Sequence, residues 1–520
     1  MGRKLKEHPF YTVIYVSFLF FIVIPVAWTF SAVLFTGNSF TGNLQFLNKG
    51  LFLLLAKSCI IAFPIAVLST SFGTALGFLL YKTKVPFRNF FKIVLLIPLF
   101  ISPYILAVAW KDFFFLTFGN ADLISSYIGV ILVLTTIFTP LSMLITGSAL
   151  SNINSQLEET GFLMTGFSNV IIKITFPLIK PALITSFVLV FIFSISEFSV
   201  PAFFGVKIFT TEIFTQFSAF YNHSLAILQS ALLILLCIIL LLAERKHIAD
   251  APFLSVSSKG SSIKFYDLIK RRWVGVLSLL VWLFFSIFLP FIVLFIQSFQ
   301  NGTASFIKAF ELLKPTFGNS VGLAFSGALI VVLIGIIAAL GQYRKRKSFN
   351  WFLLLLFATP STIIGISLIK FYNHPILDFI YSGFAIILIG YAGKFSFISA
   401  KLIGNAMKQI PNSLDEAAQI EGITFFKRLR EILIPLIMPT LLAAFIISFL
   451  FCLGELGITI MLYPPGTEIM PIKVFSIMGN ATQSLTSSLT LIVFSFTLLI
   501  IAGLYFIVKI FLKNYTHVNH

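Results

Sequence analysis

Residues 412–439 read NSLDEAAQIEGITFFKRLREILIPLIMP, a charged, Ala-rich stretch between two long apolar runs, Phe384 to Ala400 and Leu433 to Leu462. Ser413 and Glu416 have the spacing of a capping box, in which the Ser side chain reaches the third amide and the Glu returns to the Ser amide. A helix is therefore expected to start at Leu414. Gly422 ends it, and Thr424 stands where it would cap a second helix running into Pro435, the first residue of the next apolar run. The stretch reads as a short helical hairpin between two membrane spans. Its small residues Ala417 and Ala418 allow a partner surface to approach closely.

The same text occurs earlier in the chain. A shift of 258 residues carries Asn154 onto Asn412, Ser155 onto Ser413, Glu158 onto Glu416, Ile174 onto Ile432 and Pro177 onto Pro435. It also matches Leu178, Ile179, Pro181, Phe187 and Glu197 to Leu436, Ile437, Pro439, Phe445 and Glu455. The polar segment Glu244 to Arg272, rich in Ser, Lys and Arg, separates the two copies. The expected organisation is a first six-helix repeat over 1–250 with a hairpin at about 151–176, a linker over 251–272, and a second repeat over 273–520 with a hairpin at about 408–434. Each hairpin falls between the fourth and fifth spans of its half. The repeats are therefore parallel, related by an axis along the membrane normal.

Composition sets the class. Of 520 residues 58% are hydrophobic and 10% charged, with 64 Phe and a mean hydropathy of +1.02, more apolar surface than a soluble core can hide. A helix needs about 20 apolar residues to cross about 30 Å of hydrocarbon. Twelve candidate spans begin near Phe10, Leu51, Ile93, Ser125, Pro177, Ser224, Trp273, Val321, Trp351, Phe379, Pro435 and Leu485. The expected fold is an all-α polytopic membrane protein of about twelve transmembrane helices. The first span follows Arg3, Lys4 and Lys6 without a cleavage motif and is expected to be retained, and Lys6 stands where a lipidation signal needs Ser or Thr. Cys59, Cys237 and Cys452 lie singly in apolar spans, which argues against disulfides and thiolate metal sites.

The net charge of +18 invites a nucleic-acid reading, but 27 of the 36 Lys and Arg fall in alternate loops if the N-terminus is inside. Membrane insertion produces that pattern. Both termini are therefore expected in the cytoplasm, with no nucleic-acid partner.

A lone amphipathic loop would most simply lie on anionic lipid. Asp415, Glu416 and Glu421 argue against it, because headgroups would repel them. The motif Glu416-Ala417-Ala418-x-x-Glu421-Gly422, thirteen residues before Pro435, instead resembles the EAA loop of permease subunits in binding-protein-dependent ABC importers. The fused two-repeat chain is similar to iron(III), thiamine and related permeases. In the first copy Glu158 is kept, Glu159 and Thr160 replace the two Ala, and Met164 occupies the Gly register with Gly166 two residues later. The resemblance implies that Glu158, Glu159, Gly166, Glu416, Ala417, Ala418, Glu421 and Gly422 couple the permease to an ATPase. It further implies a homodimeric ATP-binding subunit on the cytoplasmic side, holding the ATP and Mg, an extracytoplasmic solute-binding protein, and a place in the bacterial inner membrane. No cofactor is expected in this chain. A P-loop needs G-x-x-x-x-G-K-[ST], and the nearest approach, Gly393-Lys394, has Leu388 and Phe395 at two required positions.

Ionisable residues inside spans cost about 2.5–3.5 kcal/mol on insertion scales and mark candidate pathway sites. Lys111, Asp112 and Lys370 are expected to reach an interface, whereas Lys394 is expected either to pair with a neighbour or to line the cavity. Glu197 and Glu455 are repeat mates, each 20 residues after a span-opening proline. At 1.5 Å per residue that is about 30 Å along the helix, near the outer face. They read either as an acidic mouth that makes a passing contact with a cation or as structural hydrogen bonds to neighbouring helices. Segments around them, EFSVPAFFGVKIFTTEIF and ELGITIMLYPPGTEIMPIKVF, resemble those of iron(III)-type permeases and point to ferric iron as the solute. Thiamine, polyamines and aminoethylphosphonate stay open. A different class, an ion-coupled secondary transporter, would use midplane sites and leave the duplicated hairpin without a role. The six His cluster with no Asp, Glu or Cys at metal-ligand spacing, so neither a resident metal nor an enzyme is expected.

Overall fold

Without water in the hydrocarbon, an apolar segment satisfies its amides internally, and helix is the local way to do so. A computed structural model describes residues 13, 15–35, 49–244, 266, 272–300, 302–343 and 348–518, and they are overwhelmingly helical. The expected linker lies outside the described residues except for Tyr266 and Arg272. The first half comprises α1 (Tyr15–Thr29), α2 (Lys49–Lys82), α3 (Arg88–Phe100), α4 (Pro103–Phe118), α5 (Tyr127–Ser151), α6 (Ser155–Thr165), α7 (Phe167–Ser196), α8 (Ser199–Phe204), α9 (Phe209–Ser218) and α10 (His223–Ala243). The second comprises α11 (Arg272–Phe299), α12 (Ala304–Leu313), α13 (Thr316–Gly341), α14 (Phe349–Ala358), α15 (Ser361–Tyr372), α16 (Ala385–Met407), α17 (Asn412–Ile420), α18 (Phe425–Gly454), α19 (Thr459–Leu462), α20 (Met470–Met478) and α21 (Gln483–Ile510).

Among the described residues nine helices are long and apolar enough to cross a membrane, or up to eleven if each of two bent pairs is one span. Together with the first expected span, that agrees with the expectation of about twelve. The third span of each half is broken, α3 meeting α4 at 92° and α14 meeting α15 at 109°. The cause is local. Ser102 precedes Pro103 and Thr359 precedes Pro360, and a proline ring disfavours helical geometry in the residue before it. Ser102 accordingly has ψ 131° and Pro360 itself ψ 139°. Hydropathy counts apolar residues and cannot register a bend between them. The first expected span is described only in part, and α1 is a shorter apolar helix.

Other prolines bend the helix without breaking it. Among the described residues four π turns occur, at Leu19–Val23, Ile171–Thr175, Phe284–Phe288 and Leu429–Leu433. Each ends two residues before a proline: Pro25, Pro177, Pro290 and Pro435. Proline lacks an N–H and its ring presses on the carbonyl four residues back, and one extra residue in the turn relieves that clash. Pro177 and Pro435 were expected to stop the hairpin's second helix before the span. Instead α7 and α18 run unbroken through them.

The helices pack into two compact units that do not follow the chain's midpoint. One comprises Met1–Phe40, Thr316–Ile469 and Leu499–His520, and the other Thr41–Pro315 and Met470–Leu498. In the unit built around the first repeat, α2 packs along α5 and α7, and Ser186 Oγ donates to Ser142 Oγ at 2.7 Å. In the other, α13 packs along α16 and α18, and the hydroxyls of Ser399 and Ser448 lie 2.9 Å apart. The repeat mates Gly77 and Gly335 sit at these crossings, where an added Cβ would come within 3.1 Å of Thr146 and 2.6 Å of Ser399. Helices α5 and α16 are the most enclosed, with 72% and 78% of their apolar windows buried, against 39% for α10 and α11 and 28% for α21. The former make each unit's centre; the latter present apolar surface suited to lipid.

Candidate functional site

The hairpin helices begin one to two residues earlier than the capping-box reading placed them. Asn154, not Ser155, is the cap of α6, its side chain accepting from the Gln156 amide at 3.0 Å. In the second copy α17 already starts at Asn412, which puts Ser413 inside the first turn. Thr424 does stand at the N-cap of the following helix, but its hydroxyl makes no capping bond.

The turns differ as well. Gly422 has φ +75° and Gly166 φ +78°, a left-handed conformation that a side chain would strain. The second helix of each hairpin starts in the same repeat register, at Phe167 and Phe425. The first helix does not end in register. Met164 cannot supply the turn that Gly422 makes, so α6 continues to Thr165 and turns on Gly166 alone.

The repeat mates Glu158 and Glu416 have opposite surroundings. Glu416 is exposed, together with Ala417, Glu421 and Gly422, while Ala418 is buried. Glu158 is fully enclosed. Its carboxylate pairs with Lys82 Nζ at 2.6 Å and accepts from Thr175 Oγ1 at 3.1 Å. The Glu158 side chain therefore faces into the chain, holding α6 to the end of α2, and the outward residues of this hairpin include Glu159, Leu163 and Met164. No local pattern marks Lys82 as the partner, since it lies 76 residues upstream. Its repeat mate is Leu340, which carries no charge.

Glu197 and Glu455 end their spans with matching backbones, ψ 132° and 125°. Each carboxylate turns forward onto the next short helix, Glu197 accepting from the Ser199 amide at 2.8 Å and Glu455 from those of Ile458 and Thr459 at 2.9 and 3.3 Å. Negative charge at a helix start is favourable, so both residues act as caps. Lys394, buried in α16, donates to the carbonyls of Phe357 and Thr359 at 2.9 and 2.7 Å. Those carbonyls are left without intrahelical donors where α14 breaks, and the ammonium serves them. Glu455 lies within electrostatic reach of Lys394 and beside Ser361, the first residue of α15. Asp112, expected at an interface, is instead 2% exposed. It accepts from Gln483 Nε2 at 2.8 Å and from Ser487 Oγ on α21. Among the described residues no group of three or more His, Cys, Asp or Glu is placed to hold a metal ion.

Two segments of the chain, 69–249 and 331–516, match the family described as binding-protein-dependent transport system inner membrane component. The chain belongs to this family. The matches fall one in each repeat, each carrying one hairpin and one span-ending Glu. The permease is 26% identical over 458 residues to the Fe(3+)-transport system permease protein FbpB 2 of Haemophilus influenzae, covering 85% of this chain and 88% of that one. It is 24% identical to the ferric transport system permease protein FbpB of Actinobacillus pleuropneumoniae, over 86% of this chain and 71% of that one. A putative 2-aminoethylphosphonate transport permease of Salmonella typhimurium is 27% identical, over 36% of this chain and 73% of its own. Membership decides between the two transport classes in favour of the binding-protein-dependent ABC importer permease.

Proposed function

We propose that this permease passes ferric iron across the bacterial inner membrane, driven by a homodimeric ATP-binding subunit that docks on the two hairpins and supplied by an extracytoplasmic solute-binding protein. Nucleotide and Mg belong to the ATP-binding subunit; this chain supplies the path and the contacts that move it. The observation carrying the substrate is extent of likeness. The ferric permeases align with both repeats, whereas the aminoethylphosphonate relative and a putrescine permease of Escherichia coli align with 36% and 40% of the chain.

Two features support the docking half of the reading. The hairpin tips carry apolar side chains open to their surroundings, Leu163 at 90%, Met164 at 79% and Ile420 at 87% exposure, beside exposed Glu159, Glu416 and Glu421. Apolar surface rimmed by charge is what a protein partner covers, and the acidic residues disfavour an anionic lipid surface. The span-ending Glu197 and Glu455 and the buried Lys394 are the proposed pathway residues. Each cap carboxylate keeps further acceptor capacity beyond its amide partners, so a passing cation could be met without dismantling the caps.

Uptake of radiolabelled ferric iron tests the proposal, in cells carrying the permease with its ATP-binding subunit and binding protein. Uptake should require the permease and be unaffected by excess putrescine or aminoethylphosphonate. Iron uptake at background, with labelled putrescine or aminoethylphosphonate taken up instead, would replace the substrate while leaving the transport class intact.

A further inference from the structure

We propose that Tyr266 of the inter-repeat linker is a positioning residue that clamps the first hairpin to the end of α2. The inference rests on the hairpins being the docking sites. Tyr266 is 6% exposed although it belongs to a polar linker. Its amide donates to the Lys82 carbonyl at 2.7 Å and its carbonyl accepts from the Lys84 amide at 3.1 Å, forming a parallel bridge with Thr83 just past α2. The Lys82 carbonyl is one of the four that a helix end leaves unserved, so the linker completes the end of α2. The ring then reaches the hairpin. It stacks on Phe78 of α2 at 6.1 Å and 18°, lies 5.3 Å from Phe162 of α6, and meets Phe167 edge-on at 5.3 Å and 87°.

The phenol sits beside the ion pair that joins the same two elements. Burial first, and then the Glu158 carboxylate, hold its pKa above the ordinary value, so the ring stays neutral at working pH. The hydroxyl lies beside Glu158 and Thr175 but meets neither in good hydrogen-bond geometry. Stacking and the backbone bridge therefore carry the contact, and Phe should replace Tyr.

The second hairpin shows what the clamp does. The repeat mate of Phe162 is Ile420, which is 87% exposed, whereas Phe162 is half-buried against the linker ring. Among the described residues the linker meets the first hairpin through the Tyr266 ring. That contact also accounts for the tolerance of a longer α6 with no EAA-type alanines: its position is set from the linker side.

The experiment uses the full-length permease in detergent and in complex with its ATP-binding subunit. In the permease alone, Tyr266→Ala should raise amide hydrogen exchange over 155–170 about tenfold and leave 412–428 unchanged, while Tyr266→Phe stays near wild type. In the complex, Tyr266→Ala should lower retention of the ATP-binding subunit about fivefold, with Tyr266→Phe again near wild type. Should Tyr266→Ala fail to accumulate, Phe162→Leu thins the same stack from the hairpin side and should produce the same local rise. Unchanged exchange over 155–170 would overturn the clamp. Raised exchange with full retention would overturn its positioning role. Failure of docking itself reads differently: Glu416→Arg would then also keep the ATP-binding subunit bound.

Discussion

Glu158 and Glu416 occupy one register of a duplicated motif, yet one is sealed in an ion pair with Lys82 and the other is exposed. The consequences of mutation should diverge. Removing one member of a buried pair leaves an uncompensated charge, at about 3–5 kcal/mol. Glu158→Gln or Lys82→Met should therefore lower the detergent melting temperature of the permease alone, and joint replacement of both by Met should recover most of the loss. A cycle in which the double variant is as unstable as the singles would show that the pair is not the linkage holding α6. Glu416→Arg should leave melting unchanged, because an exposed charge contributes little to stability. Its expected effect is on the complex, where reversal at a docking contact changes association and dissociation together, by about tenfold or more. The identity of these residues was legible in the sequence, since the repeat and the EAA-like spacing mark them. Their burial was not. It depends on Lys82 and Tyr266, which lie 76 residues before and 108 residues after Glu158 in the chain, and no local pattern couples them.

At the scale of elements, the sequence named the helices and missed their bends. Every span has a hydropathic signature, and α7 and α18 fall in matching registers because their prolines do. What hydropathy could not separate is a proline that a π turn absorbs from one that breaks the helix. Pro177 and Pro435 lie inside continuous helices, each two residues after a π turn, whereas Pro103 and Pro360 stand where one helix ends and the next begins. The break between α14 and α15 needs Lys394, whose ammonium serves the carbonyls of Phe357 and Thr359. Lys394→Met keeps length and apolar packing but withdraws both donors. Leaving buried acceptors unserved costs about 1–3 kcal/mol each. The variant should melt lower and transport less, and Lys394→Arg should restore part of both. Normal melting with lost uptake would assign Lys394 to the path rather than to the helix break.

For the whole molecule, the distribution of positive charge and the hairpins' place between spans fix an expected topology. With both termini inside, cysteines introduced at Thr303 and Thr467 should react with an impermeant reagent in intact cells, and one at Ser258 should not. Reaction at Ser258 would invert the orientation and put the hairpins on the wrong side for an ATP-binding subunit. The span-ending carboxylates are the proposed path residues. Glu197→Gln with Glu455→Gln keeps an acceptor for each cap amide and removes both charges, so a capping role alone predicts near-normal uptake at near-normal expression. A pathway role predicts normal expression with uptake lost by about tenfold or more.

The central claim is that this chain is the passage for ferric iron in an ATP-driven importer, and reconstitution tests it most directly. Purified permease with its ATP-binding subunit is placed in liposomes, with iron-loaded binding protein on the side that corresponds to the cell exterior. Accumulation of labelled iron should require ATP on the hairpin side and fall to background with the Glu416→Arg permease. Iron entry that proceeds without ATP, or ATP hydrolysis stimulated by the loaded binding protein with no iron entering, would contradict the account.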